Sequence, residues 1–291
     1  MKLPRLSTFP LHKPFQREEP TTPLSEAGLR LVADIYTDQA RVLGSAIVIA
    51  GNLILTAKHV LDGLFSTIEM GPAAQIEHHL AAFQLLPGPR YIIWDIAGGI
   101  LDPTSDLALF QLATNPGMSD PEIPISWRQP RVNPFAPDIG ERIFAFGYRN
   151  SSVVVSRNAQ GGSHIELNDE PMTSVGVVKE IHKWRRDALL PFPCYQVSAR
   201  FDGGMSGGPV FDETGSLCGI VCSNLAGSHL DGEPVSYVTT LWPLFRLTMD
   251  FDRGDRWPKG STYSGIDLAR AGLIMVADMD RLNAFFESSI K

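Results

Sequence analysis

The chain has 291 residues, 44% of them hydrophobic, enough for one large soluble globular unit with extensions. Its net charge of −7, with no clustered basic stripe, argues against a nucleic-acid partner, and no apolar run approaches the ~20 residues that a membrane-spanning helix needs. Aromatic residues at 9%, with short Val/Ile-rich segments separated by Gly, Pro and Asn, point to an all-β core.

Taken in chain order, Met1 to Pro10 carry prolines where a secretory signal needs an unbroken apolar stretch, so the chain reads as cytoplasmic. The cysteines agree with that reading: Cys194, Cys218 and Cys222 are odd in number, and the last two share one strand-like run as buried thiols. Residues 1–27 hold Pro4, Pro10, Pro14, Pro20 and Pro23 and form an extended arm that either wraps the body or stays mobile. The alternation Leu29, Leu31, Ala33, Ile35 begins a first barrel over 28–115, with a Thr37-Asp38-Gln39 turn returning the chain to Val42. Glu77-His78-His79 is no metal site, because neighbouring side chains on a strand point to opposite faces; a solvated loop is expected. Six prolines in 116–137 mark a connector, 138–250 form a second barrel, and 251–291 are an extension. In that extension Gly272 to Ala277 reads as an added strand, and Asp278 caps a short helix with Met279, Leu282, Phe285 and Phe286 on one face.

Chemistry concentrates in three places. In Asp202-Gly203-Gly204-Met205-Ser206-Gly207-Gly208-Pro209-Val210 a serine stands among four glycines just ahead of an apolar strand. Glycines let the backbone turn sharply and bring the N–H groups of Gly204 and Ser206 to one point where an oxyanion can be held, although Gly-rich serine turns also occur as plain β-structure. His59 ends the apolar run Leu53 to Val60 after a Gly51-Asn52 turn, and is either a satisfied core histidine or a base. Asp106, in Ser105-Asp106-Leu107-Ala108-Leu109-Phe110, is either a turn residue or the acid that such a base requires. Together the three have a chemical logic: a weak hydroxyl nucleophile needs a neutral imidazole to take its proton and a carboxylate to fix that imidazole's tautomer. Gly204 to Gly208 also fits the nucleophile elbow of α/β-hydrolases, but there the acid and histidine follow the serine, and here only His229, 23 residues on, does so.

Thr56-Ala57-Lys58-His59-Val60, Ser105-Asp106-Leu107-Ala108-Leu109 and Gly204-Met205-Ser206-Gly207-Gly208-Pro209-Val210, in that order, resemble the trypsin/chymotrypsin-type serine proteases. The spacings of 47 and 100 residues suit a histidine and aspartate on one barrel and a serine on a second. Gly140 to Tyr148 and Thr173 to Val178 resemble early second-barrel strands of the bacterial, HtrA-like branch, and Tyr237 to Phe245 its last strand and closing helix; no PDZ domain is recognisable. The resemblance covers residues 28 to 250. It implies two six-stranded antiparallel β-barrels of the chymotrypsin type with a short C-terminal α/β extension, and a serine endopeptidase with Ser206, His59 and Asp106 as catalytic residues. Gly204 and Ser206 then form the oxyanion hole, proteins or peptides are the substrates, and no metal or cofactor is called for. The other reading is a catalytically silent module of the same fold that binds through its arm and tail. The tail either packs on the body or covers the cleft and docks a regulatory protein.

Departures from the family pattern carry their own expectations. Zymogen members have an aspartate before the serine to pair with a newly cut amino terminus; Met205 cannot, so activity needs no N-terminal cleavage. Many members hold the catalytic aspartate with a serine where this chain has Cys222, a poor partner, so either Ser223 fills in through a register shift or Asp106 is oriented otherwise. Arg200, six residues before the nucleophile, either forms the base of the substrate pocket and selects Asp or Glu, or turns to solvent or Asp202. With Cys222, Asn224 is placed on the wall of that pocket.

Overall fold

Alternating apolar residues with β-branched enrichment make strands, and the computed structural model arranges them in two barrels; it describes residues 15–18, 27–62, 64, 79–86, 90–114, 129–157, 163–230, 233–250 and 262–289. The first barrel is built from β2 (Gly28–Ala33), β3 (Arg41–Ala50), β4 (Leu53–Ala57), β5 (Leu80–Leu86), β6 (Arg90–Leu101) and β7 (Leu107–Thr114), following the short β1 (Gln16–Arg17). All pairs are antiparallel, in the order β2-β3-β4-β7-β6-β5, and β5 closes on β2. Closure leaves no sheet edge unpaired.

The second barrel comprises β8 (Arg142–Arg157), β9 (Ser163–His182), β10 (Cys194–Val197), β11 (Pro209–Asp212), β12 (Leu217–Leu230) and β13 (Glu233–Thr239). Its order is β9-β10-β13-β12-β11-β8, closed by β8 on β9, and β1 adds outside β9. This matches the expected pair of six-stranded antiparallel barrels. Ile143, Ala145, Val178, Tyr195, Val197 and Val210 fill the second barrel, while Phe146, Tyr148, Phe211 and Ile220 join the core of the first.

The hairpin β8–β9 is longer than its own barrel requires, and its far half lies on the first barrel. Val153, Ile165 and Leu167 pack on Val32, Ala81, Phe83 and Ile93, which face outward from β2, β5 and β6, and on Ile35 in the turn after β2. This is why β2 is buried on both faces, not on alternate residues. Arg30, 1% exposed on the same strand, is ion-paired with Asp169 of the hairpin and lies 3.8 Å from the Tyr148 ring centroid, and the Tyr148 hydroxyl donates to the Gly28 carbonyl at 3.1 Å.

After β13 come a 3-10 helix (Trp242–Arg246), β14 (Thr248–Asp250) paired with β15 (Thr262–Ser264), then α1 (Gly265–Arg270) and α2 (Met279–Ser289). Ser264 and Asp267 form a capping box on α1. Asp278 caps α2 as expected, its carboxylate accepting from the Arg281 N–H at 2.9 Å. Gly272–Ala277 is not a strand: it makes one bridge, Val132 to Val276, because a turn at 271–272 and a bend at 273–274 take up its first half. The tail packs on the body. Phe285 meets Phe135, Trp184 and Trp242 with ring centroids 5.3–6.2 Å apart, and Leu282 is fully buried. Leu282→Ala is therefore expected to destabilise the protein by about 3 kcal/mol, read from chemical denaturation. No helix among the described residues is long and apolar enough to cross a membrane.

Candidate active site

β4 runs into a 3-10 turn, Lys58–Leu61, so His59 stands just past the end of a buried strand. Asp106 immediately precedes β7, which pairs with β4 through Ala57 and Leu107. That register brings the two together at both ends of the carboxylate. The His59 backbone N–H donates to Asp106 Oδ1 at 2.9 Å, and Nδ1 donates to Oδ2 at 2.8 Å. The turn carrying Asp106 is itself fixed. The buried Asp102 carboxylate accepts from the Thr104 N–H at 2.9 Å and from the hydroxyls of Thr104 and Ser105, while Lys58 Nζ donates to the Asp102 carbonyl at 2.6 Å.

Burial disfavours the imidazolium of His59, but the hydrogen bond and the charge of Asp106, with a smaller contribution from Asp62, outweigh it, and the pKa is raised above the usual histidine value. The bond to Nδ1 also sets the tautomer, leaving Nε2 as the free basic nitrogen.

The Ser206 turn is docked against the first barrel. Ser45 N–H donates to the Ser206 carbonyl at 2.8 Å, and Ser45 Oγ donates to the Gly204 carbonyl at 2.8 Å. A methyl at Gly44 would meet the Ser206 carbonyl at 2.7 Å and Val60 Cγ1 at 2.9 Å, so the Ser206 turn and the turn bearing His59 press on one point of β3. Gly207, at φ +80°, lies where a Cβ would strike Thr56 Oγ1 at 2.1 Å, which restricts it to glycine on two counts.

Gly204 has φ +92°, a conformation that favours glycine, and its Cβ would collide with the Tyr148 carbonyl at 2.3 Å. The Gly203 carbonyl accepts from the Asn150 N–H at 3.3 Å. A trans peptide points its C=O and N–H in opposite directions, so this bond turns the Gly204 N–H away from Asn150. Met205 is fully buried beside Gly147, apolar where a zymogen's aspartate would be charged.

Cys222, expected on the pocket wall and as a poor partner for Asp106, is only 3% exposed and has its thiol within 4.8 Å of the Asp106 carboxylate. Cys222, and not a shifted Ser223, is therefore the neighbour of Asp106. Val221 opposes Val238 and Ser223 opposes Tyr237, so Cys222 is the extra residue of a bulge. His59, Asp106 and Cys222 bring their donor atoms within 4.8 Å of one another, a set that could hold a soft cation. Burial and the Asp106 charge push the Cys222 thiol well above its usual pKa; burial takes Cys194 up to about 12. All three cysteines are free and buried. Arg200, 49% exposed, is paired through Nε with Asp202 at 2.9 Å. The backbone of Asn224 pairs with Ser236 in the β12–β13 ladder, while its side chain, like that of Ser223, lies outside the described residues. Of Glu77-His78-His79, the first two lie outside the described residues, and His79 contacts Tyr36 and Asp95.

The family model described as a trypsin-like peptidase domain matches residues 44–220, more than half of the chain, from the Gly44 contact point through His59, Asp106 and Ser206. The chain belongs to the trypsin-like peptidase domain family. It is thus a peptidase-family protein, with proteins or peptides as the substrate class. Similar solved structures include the active form of the Rv3671c protease from M. tuberculosis, at 15% identity and TM-score 0.47, covering 88% of this chain and 85% of that one. The apo MamO protease domain from Magnetospirillum magneticum matches at 17% identity and TM-score 0.44, covering 75% of this chain and 93% of that one. Deg5 matches at 19% identity and TM-score 0.44, covering 74% and 84%. No curated protein matches the sequence.

Proposed function

We propose that this chain is a serine endopeptidase acting by acyl transfer. Ser206 Oγ attacks the peptide carbonyl, His59 Nε2 takes its proton and returns it to the leaving amine, and water then releases the acyl group by the same route. Asp106 holds the imidazole tautomer and supports its charge, and the N–H groups of Gly204 and Ser206 receive the oxyanion. The observation that carries this reading is the two-point hold of His59 by Asp106, at 2.9 and 2.8 Å, beside a serine turn clamped to the same barrel. A hydroxyl is favoured over a thiol as nucleophile because the cysteines are buried and protonated, whereas Ser206 is partly exposed. Arg200 is engaged by Asp202, which favours a pocket without a preference for acidic residues.

A fluorophosphonate probe on purified protein tests the assignment: covalent labelling at Ser206 is expected, and a folded chain that never labels is a binding module. The pH profile is a second check. Only neutral His59 can accept the serine proton, and Asp106 favours the cation, so kcat/KM for a peptide substrate is expected to rise with pH through a midpoint above 6.5. An acid limb at or below that value would contradict the role of Asp106.

A further inference from the structure

Asp202, not the residue preceding the nucleophile, is the charged anchor of the Ser206 turn. Arg149 Nε approaches its Oδ2 at 2.7 Å and Arg200 Nε its Oδ1 at 2.9 Å, so both carboxylate oxygens are taken. The Asp202 carbonyl accepts the Met205 N–H at 3.1 Å, closing the turn that carries Gly203 and Gly204. Asn150, directly after Arg149 and held at φ +51°, donates its N–H to the Gly203 carbonyl. Arg149 and Asn150 thus fix one turn by a charge and by a backbone bond.

Both arginines share a further neighbour from the other end of the chain. The Phe15 ring centroid lies 4.6 Å from Arg149 Cζ and 5.6 Å from Arg200 Cζ. Phe15 also packs on the second-barrel cluster that includes Ala199, Phe201 and Met205. The segment is tied down beyond it: Gln16 and Arg17 pair with Thr173 and Met172, the Glu18 N–H donates to the Pro171 carbonyl at 2.8 Å, and Glu18 is 5% exposed.

We propose that Phe15 is a positioning residue for the oxyanion turn: the docked arm orients Arg149 and Arg200, they orient Asp202, and Asp202 holds the Gly203–Gly204 peptide that presents the Gly204 N–H. The arm does by an aromatic face what a freed amino terminus does by charge, and Met205 has no need of an ionic partner. Fixing a donor before the reaction is what makes it effective, since a mobile turn spends binding energy on ordering it. This rests on the peptidase reading only for its effect on rate, and the ordering itself is measurable without catalysis.

The test uses the full chain with Phe15→Leu, which keeps an apolar side chain but removes the ring, and Phe15→Tyr, which restores it. In the leucine variant, exchange of the Met205 and Asn150 amides is expected to rise roughly tenfold while strand amides in β11 and β13 are unchanged, and fluorophosphonate labelling to slow by a similar factor, in the maximal labelling rate kinact more than in KI. Phe15→Tyr is expected to restore both. Turn amides that exchange in Phe15→Leu as in the parent would overturn the proposal. A parent inert to the probe would overturn the peptidase reading, and the exchange result would still decide the role of the arm.

Discussion

Ser206→Ala is expected to reduce hydrolysis of a peptide substrate by about 10⁴ to 10⁶ while leaving the fold intact. The hydroxyl makes no contribution to the anchoring of its turn, which rests on backbone bonds from Ser45 and on buried Met205, so its removal opens almost no cavity. The two effects separate cleanly: denaturation midpoint unchanged, activity gone. Residual activity above a tenth of the parent would remove Ser206 from the mechanism.

Asp106→Asn is expected to cost about 10⁴ near neutral pH. Asparagine can keep one oxygen on the His59 backbone N–H, but its amide must then face Nδ1 as a donor. The imidazole answers by moving its proton to Nε2, and the nitrogen that should accept from Ser206 no longer can. The loss of the negative charge also lowers the pKa of His59, so the acid limb of the profile shifts to lower pH. An asparagine variant as active as the parent would mean that some other acid orients His59.

What the sequence revealed were features set by local pattern. His59 after an apolar run, Asp106 ahead of one and Ser206 among glycines were legible because strand length, turn residues and small-residue spacing are properties of neighbours. The Asp278 cap and the buried thiols were legible for the same reason. Features that depend on distant pairing were not. Nothing in Val221-Cys222-Ser223 decides whether Cys222 or a shifted Ser223 lies beside Asp106; the pairing with β13 and the packing around it do. Ser45 looks like an ordinary polar interruption of β3 until the second barrel presents Gly204 and Ser206 to it. Arg200 had two candidate partners in sequence, and the choice was made by Asp202, Arg149 and Phe15 together, which lie far apart along the chain.

The long hairpin has a consequence for how the protein is made. Arg30 and the outward apolar residues Val32, Ile35, Phe83 and Ile93 all leave the ribosome before the segment that covers them, which ends with Asp169. Until that segment arrives, the first barrel carries a solvated guanidinium and a bare apolar flank, and the flank invites association with other nascent chains. The amino-terminal half cannot bury this flank by itself; Val153, Ile165 and Leu167 of the later hairpin are needed to cover it.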